Sequence, residues 1–246
     1  MTVGQDRFSQ SVIWHDLECG AYAADLPVWR ALAARYGDPV LDVGAGTGRI
    51  ALDLARQGRR VTALDHDPAL LAELERRSAP HTLTTVAADA REFELGERFA
   101  LILMPMQTIQ LLGGSDGRRR FLAHARRHLR PGGATAAAIT ETLERYGPAD
   151  GLPLPTPDMR EIEGVVYSSQ PTAVREDDDG FILERLRERI TLQGRRTAER
   201  DVIRLDRLTA AELECEARAE GLRALGREVI GQTRDHVGSV VVILGV

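Results

Sequence analysis

Short apolar runs alternate with segments of helical periodicity over the first 140 residues of the chain. Five of these runs lack polar alternation and predict strands buried on both faces: 40–44, 60–65, 82–89, 99–104 and 134–140. The segments between them place apolar side chains at helical spacing, over 47–58, 67–77 and 117–129. Buried strands that alternate with helices predict a doubly wound α/β fold, whose ligands bind at the carboxyl ends of the strands.

The pattern changes on both sides of this region. Residues 11–36 predict two short helices, broken near "GAYAADLP". Residues 148–157 hold four prolines and predict an irregular connector. The turn-bounded, largely alternating segments from 164 to 208 predict an antiparallel sheet with one solvated face, and a helix with two strands closes the chain.

Composition narrows the classes of chemistry. The 32 basic residues are all arginine, so Schiff-base chemistry and a lysine-dependent phosphate loop are excluded. A net charge of −5 disfavours a general nucleic-acid binder, and the basic segment "GRRRFLAHARRHLR" is interpreted as the solvated face of a helix. Two cysteines, no apolar leader and no membrane-length apolar run favour a cytoplasmic protein without a membrane partner.

A glycine turn follows the first predicted strand, in "VLDVGAGTGRI". Its spacing is GxGxG, with Gly44, Gly46 and Gly48, whereas a dinucleotide fingerprint would need a third glycine where Arg49 stands. Asp42 lies two residues before the first glycine, where a carboxylate would repel a pyrophosphate. The turn therefore favours a ligand with positive charge, such as an ammonium or a sulfonium.

Polar side chains follow the next strands as well. Asp65, 21 residues after Gly44, is placed to accept both hydroxyls of a ribose, and Asp89 is placed to meet an adenine amino group. After the fourth strand, Met104 and Met106 suit contact with a flat base or a sulfonium. Each of these residues also has a structural alternative, since the acids could cap helices and the methionines could fill the core.

The chain resembles the class I S-adenosylmethionine-dependent methyltransferases of the small-molecule type. "VLDVGAGTG" is similar to their glycine loop, "ALDHD" to their ribose-binding acid, "AADA" to their adenine-contacting acid and "HLRPGG" to the turn before their fifth strand. The resemblance covers about residues 10 to 140 and implies a Rossmann-like, mostly parallel seven-stranded sheet, here with an antiparallel β insertion after strand five.

The resemblance also implies S-adenosyl-L-methionine as cofactor and a set of binding residues. Asp42 would lie near the methionyl ammonium, Asp65 would hold the ribose, and Tyr22 would lie over the cofactor. The complete cofactor set is Tyr22, Asp42, Gly44, Ala45, Gly46, Gly48, Asp65, His66, Asp89, Ala90 and Met104. No metal site is expected, because the histidines considered show no ligand spacing.

The acceptor side is less determined, because in-line methyl transfer needs alignment more than a fixed catalytic group. Candidates for positioning the acceptor are Trp14, His15, Tyr22, Gln107 and His236, with Gln107 and His236 as catalytic candidates. His236 could act as a base or be an ordinary loop histidine, and Trp14 could form a substrate wall or pack under a helix. The segment "LMPMQ" replaces the (N/D)PP(Y/F) signature of family members that act on DNA or protein amides.

These observations predict a methyltransferase acting on O or N of a small molecule. A non-catalytic cofactor-binding protein on the same fold, a nicotinamide oxidoreductase and an RNA methyltransferase are the alternatives. The expected division of the chain is a helical lid (1–36), a cofactor-binding core (37–147), an insertion that covers the substrate or forms a homodimer surface (148–208), and a C-terminal part completing the sheet (209–246).

Overall fold

A computed structural model describes residues 9–78, 83–148, 151, 153–233 and 236–246. The chain forms two compact units. The first contains residues 22–141 and 208–246 together with the start of the chain up to Ile13, and the second contains Trp14–Ala21 and Thr142–Arg207. In the part of the chain that the structure describes, no helix has the length and apolarity needed to span a membrane.

The first unit is built on a seven-stranded sheet in the order β10-β11-β5-β4-β1-β2-β3. β1 to β5 run parallel, and the antiparallel pair β10 and β11 completes the sheet beside β5. The strands are β1 (Val40–Val43), β2 (Val61–Asp65), β3 (Leu83–Ala87), β4 (Phe99–Met104), β5 (Leu129–Ile139), β10 (Arg223–Ile230) and β11 (Ser239–Gly245). The predicted mostly parallel seven-stranded sheet is confirmed.

Helices cover both faces of this sheet, because strands without alternating polar residues must be buried on both sides. Leu101 and Leu103 of β4 belong to one apolar cluster, whereas Ile102 and Met104 belong to the cluster on the opposite face. Alternate residues of a strand point to opposite faces, so β4 is buried on both. Among the described residues, the α-helices are α1 (Gln10–Cys19), α2 (Leu26–Tyr36), α3 (Arg49–Arg56), α4 (Pro68–Ser78), α5 (Gly114–His128) and α6 (Ala210–Ala219).

The strand order reverses between β1 and β4, which are neighbours in the sheet but are separated by β2 and β3 in the chain. Such a switch point opens a crevice at the carboxyl ends of the strands, where α/β sheets bind ligands. The parallel strands β1, β2 and β4 all end at this edge, and the antiparallel strand β11 begins there. The predicted site residues of the first unit therefore come from the correct edge of the sheet.

β5 begins earlier than expected. The "HLRPGG" segment predicts a turn before a strand at 134, but pairing starts with Leu129 opposite Phe99 and resumes with Ala134 opposite Leu101. Gly132, at φ 77°, lies in the irregular stretch between these two pairings. The turn is therefore a break in register inside a longer strand.

The second unit contains a four-stranded antiparallel sheet in the order β6-β7-β8-β9. Its strands are β6 (Asp158–Ile162), β7 (Val165–Glu176), β8 (Gly180–Thr191) and β9 (Arg196–Asp206). The last three match the predicted insertion. β6 was not expected, because "DMREI" is an almost wholly exposed edge strand without apolar alternation.

The part of α1 that belongs to this unit packs on the sheet. The ring of Trp14 meets that of Tyr167 edge-on, with centroids 5.4 Å apart. Arg187 of β8 donates to both carboxylate oxygens of Glu18, at 2.7 and 2.8 Å, and to Asp201 at 2.8 Å. A buried carboxylate of α1 is thus paired with an arginine of the central strand.

Candidate cofactor site at the carboxyl edge of the sheet

The glycine turn between β1 and α3 is wound by left-handed backbone. Gly44, Gly46 and Gly48 have φ values of 72°, 56° and 95°, in the region that glycine adopts at least cost. The amides of Gly44 and Ala45 donate to the carbonyl of Leu64 in β2, at 2.8 and 3.0 Å. The turn is therefore tied to the neighbouring strand.

Asp65, the last residue of β2, is buried and holds this turn from the other side. Its Oδ2 accepts from the amide of Gly46 at 2.8 Å, and its Oδ1 accepts from the amide of Asp67 at 2.9 Å. The exposed ring of His66 lies beside it, with Nδ1 3.3 Å from Oδ1. Each carboxylate oxygen can accept more than one hydrogen bond, so the predicted contact with a ribose is compatible with these two.

Asp42, on β1 beneath the turn, is a buried carboxylate whose oxygens accept no well-formed hydrogen bond from the described residues. Burial raises the pKa of Asp42 to about 7, and the nearby guanidinium of Arg49 and amide of Ala51 only partly oppose this rise. A buried carboxylate without a partner is costly in a folded protein. Its oxygens are suited to a cationic group that the chain does not supply.

Arg49 and Asp25 form a buried ion pair that sequence reasoning did not identify. The guanidinium of Arg49, the first residue of α3, donates to both oxygens of Asp25 at 2.5 and 2.7 Å. Asp25 also accepts from Trp29 Nε1 at 2.8 Å, and Arg49 donates to the carbonyl of Tyr22 at 2.9 Å. The residues lie 24 positions apart, and no local spacing signals their pairing.

The charges at this edge do not balance. Asp25 and Asp65 both raise the pKa of Asp42 through their negative charge, and Arg49 lowers it. Because Arg49 is already paired with Asp25, the carboxylates of Asp42 and Asp65 leave an excess of buried negative charge. This excess fits a ligand that carries an ammonium and a sulfonium, as S-adenosylmethionine does.

Asp89, after β3, is engaged by its neighbour. Both of its carboxylate oxygens accept from the guanidinium of Arg91, at 2.6 to 3.1 Å, and its Oδ1 also accepts the Arg91 amide at 2.8 Å. These hydrogen bonds lower the pKa of Asp89 to about 2, so it is ionised at any physiological pH. The adjacent Ala90 is half-buried, and contact of this pair with adenine stays a prediction.

The two methionines after β4 differ in their surroundings. Met104 is fully buried in the apolar cluster that includes Ile109 and Phe121, which favours core packing over cofactor contact. Met106 is only partly buried, and it precedes Gln107 in a pair of left-handed residues with φ of 52° and 58°. Strained backbone of this kind is concentrated at binding and active sites.

Gln107 and His236 are placed at the same edge by β11. Gln107 Nε2 donates to Ser239 Oγ at 2.8 Å, which links the end of β4 to the first residue of β11. The ring of His236 stacks on that of Tyr22, with centroids 4.6 Å apart and planes inclined by 31°. The structure therefore brings Tyr22 and His236 into contact, and ties Gln107 to the strand that His236 precedes. The other two, Trp14 and His15, belong to the second unit.

Comparison with known proteins agrees with this geometry. Residues 40–133, which carry the glycine turn and the acids after β2 and β3, match a family model described as a methyltransferase domain. The match and the order of the seven strands agree with the class I S-adenosylmethionine-dependent methyltransferases that the sequence resembles. The predicted methyltransferase domain is confirmed for these residues.

A cypemycin N-terminal methyltransferase from a Streptomyces species is 32% identical over 108 residues, which are 44% of each chain. The chain spans about half the length, or less, of the curated relatives it matches.

Two solved structures are similar over nearly the whole chain. The sugar N-methyltransferase KedS8 from Streptoalloteichus is 21% identical with a TM-score of 0.72, and the match covers 99% of this chain and 96% of that one. The S-adenosylmethionine-bound CalS10, an amino pentose methyltransferase from Micromonospora echinaspora, is 21% identical with a TM-score of 0.68, covering 97% and 99%. At this identity the likeness establishes the fold.

Proposed function

We propose that the protein transfers the methyl group of S-adenosylmethionine to a nitrogen or oxygen of a small molecule. The observation that carries this proposal is the buried, unpaired carboxylate of Asp42 beneath the glycine turn. When bound, S-adenosylmethionine supplies a methyl group already activated on a sulfonium. The protein's part is to bind that donor and to align the acceptor with it, which can lower the barrier by about 7 to 11 kcal/mol.

Each residue around the turn binds a different part of S-adenosylmethionine. Asp42 pairs with the methionyl ammonium, directly or through water, and the glycine turn allows close approach of the backbone. Asp65 orients the ribose with the lone pairs left free by its two backbone hydrogen bonds. Asp89 and Ala90 contact the adenine, and Tyr22 lies over the donor. Support for these roles is their common position at the carboxyl edge of β1 to β3.

Two observations support a small-molecule acceptor. The similar proteins include a sugar N-methyltransferase, an amino pentose methyltransferase and a cypemycin N-terminal methyltransferase. In addition, Tyr22, Gln107 and Ser239, which approach the acceptor side, are neutral and polar, so they suit hydrogen bonding to a compact ligand.

Calorimetric titration with S-adenosylhomocysteine tests the donor site. We expect binding to the folded protein, and an affinity at least tenfold weaker in Asp65→Ala, because that variant removes the oxygens that meet the ribose and hold Gly46. Asp53→Asn is the matched control, because Asp53 of α3 pairs with Arg30 of α2 and with Gln57, away from the turn. This variant should bind S-adenosylhomocysteine within twofold of the wild type. Absence of binding, or equal affinity in Asp65→Ala, would contradict the proposal.

Binding without turnover would instead favour the non-catalytic alternative. Product detection by mass spectrometry, with amino sugars, short peptides and their hydroxyl analogues as acceptors, separates an enzyme from a cofactor-binding protein. We expect a mass increase of one methyl group on at least one acceptor and formation of S-adenosylhomocysteine in equal amount.

A further inference from the structure

The loop before β11 is fastened to the ends of β4 and β5. Val240 pairs with Ile139, the last residue of β5, and Thr140 Oγ1 donates to the carbonyl of Gly238 at 3.4 Å. Ser239 accepts from Gln107 after β4. His236, three residues before this strand, is therefore held at the carboxyl edge where the acceptor approaches.

Both the ring and the backbone of His236 make contacts that fix their position. Its ring lies against Tyr22, and its backbone amide donates to Thr233 Oγ1 at 3.0 Å while its carbonyl accepts from the Thr233 amide at 2.9 Å. The Nδ1 atom lies 3.5 Å from the same hydroxyl. Among the described residues, no hydrogen bond engages Nε2, so this nitrogen is available to a ligand.

Among the described residues, the charged groups next to the Tyr22 ring, on which His236 stacks, form an ion pair. Arg49 lies 5.1 Å from the centroid of the Tyr22 ring, and its charge is paired with Asp25. Burial and the charge of Asp25 raise the pKa of the Tyr22 phenol, so Tyr22 stays neutral. The chain neighbours Arg234 and Asp235 lie outside the described residues. Of Tyr22, Gln107, Thr140, Ser239 and His236, only His236 carries an imidazole, the side chain that most often serves as a general base.

We propose that His236 is the general base of this site and that the acceptor is an amine; this rests on the proposed methyl transfer. An amine arrives as an ammonium without a free electron pair, so it must lose a proton before it attacks. The nitrogen–carbon bond then forms, the carbon–sulfur bond breaks, and the ammonium proton ends on His236 Nε2. An α-amino group has a pKa of about 8, close to that of an imidazole, whereas an alcohol is far less acidic. The base is therefore matched to nitrogen rather than to oxygen.

Pairs of acceptors with and without a free amine test whether nitrogen or oxygen is methylated. Glucosamine, N-acetylglucosamine and glucose differ only at one position, and alanyl-alanine has its N-acetyl form as partner. We expect methylation of the free amines alone. Methylation of glucose or of an acetylated partner, with the amines inert, would overturn the amine assignment while leaving the donor site intact.

The variant His236→Gln tests the base, because glutamine keeps a hydrogen-bond acceptor but takes no proton. We expect kcat/KM about 100-fold lower at pH 7, the scale of general base catalysis, and a deficit below tenfold at pH 9.5, where the amine is largely deprotonated in solution. Affinity for S-adenosylhomocysteine should stay within twofold. A deficit that is the same at both pH values would reduce His236 to a structural role.

Two further measurements separate basicity from packing. In the S-adenosylhomocysteine complex, glucosamine should shift an imidazole C2–H resonance that is absent from His236→Gln, and an unshifted resonance would contradict contact with the amine. Tyr22→Phe should retain the pH profile of the wild type because it keeps the stacked ring, whereas Tyr22→Leu should lower kcat. Val237→Ala, in the same loop and 38% exposed, is the control without effect.

Discussion

The role proposed for Asp42 in binding the donor comes at a cost to folding. Its carboxyl has a pKa of about 7 in the folded protein because burial disfavours the charged form, against an ordinary value of 3.8. The folded state therefore binds this proton more tightly than the unfolded state, and stability falls as pH rises from about 4 through about 7. The full difference amounts to at most about 4 kcal/mol for this group. A bound ammonium would recover part of it.

We expect Asp42→Asn to change stability and binding in opposite directions. At pH 8 the ligand-free variant should melt at least about 2 °C above the wild type, because the amide carries no buried charge. Its affinity for S-adenosylhomocysteine should fall at least tenfold, since the anionic partner of the ammonium is gone. Differential scanning fluorimetry and calorimetry at pH 5 and pH 8 provide the two measurements.

The pH comparison is the internal control for Asp42. At pH 5 the wild-type carboxyl is protonated in the folded protein, so the stability advantage of Asp42→Asn should disappear. Wild-type affinity for S-adenosylhomocysteine should also rise between pH 6 and pH 8, with release of a proton on mixing at pH 6. A variant equally stabilised at both pH values would mean that packing, not ionisation, separates it from the wild type.

Side chains of α3 and α4 pack against the glycine turn and leave no room for a Cβ at Gly48. A Cβ on Gly48 would come within 2.1 Å of Leu74 Cδ1 and 3.1 Å of Leu52 Cγ, on a backbone with φ of 95°. Gly58, near the other end of α3, has a similar φ of 80° but no heavy atom within 4 Å of such a Cβ. Alanine substitutions at the two positions therefore distinguish the cost of backbone strain from the cost of steric overlap.

We expect Gly48→Ala to lower the free energy of unfolding by about 2 to 5 kcal/mol, the sum of left-handed strain and overpacking. Gly58→Ala should lose only about 1 to 2 kcal/mol, from the backbone alone. Urea denaturation of both variants measures the difference. Equal losses would show that Leu74 moves aside without cost, and that the turn is constrained by its dihedral angles only.

The elements that local chemistry specifies were predictable, and those that depend on partners were not. β1, β2 and β4 are apolar runs buried on both faces, so their existence follows from the sequence. β6 is polar and exists because it pairs with β7, which no local pattern announces. The same holds within the site. The glycine turn and Asp65 follow from spacing, whereas the pairing of Arg49 with Asp25 depends on the fold bringing α3 beside the segment before α2.

For the molecule as a whole, the RNA methyltransferase alternative rests on the arginine-rich segment of α5. α5 is the most basic helix, but most of its arginines are held by glutamates of neighbouring segments. The pairs, with nitrogen–oxygen distances of 2.6 to 2.9 Å, are Arg118–Glu216, Arg119–Glu220, Arg120–Glu92 and Arg127–Glu94. Contact with phosphates would require these pairs to break, in a chain whose net charge is −5.

We therefore expect a fluorescent single-stranded RNA 20-mer to bind with a Kd weaker than about 100 µM at 150 mM salt, beyond the range of ordinary non-specific binders. Fluorescence anisotropy measures this, with S-adenosylhomocysteine titrated into the same sample to establish that the protein is active in binding. Weak binding would follow from the glutamates that neutralise α5, because few counterions would be released from the RNA. A submicromolar Kd that weakens steeply with salt would instead mean that the pairs open, and would return the RNA methyltransferase alternative to consideration.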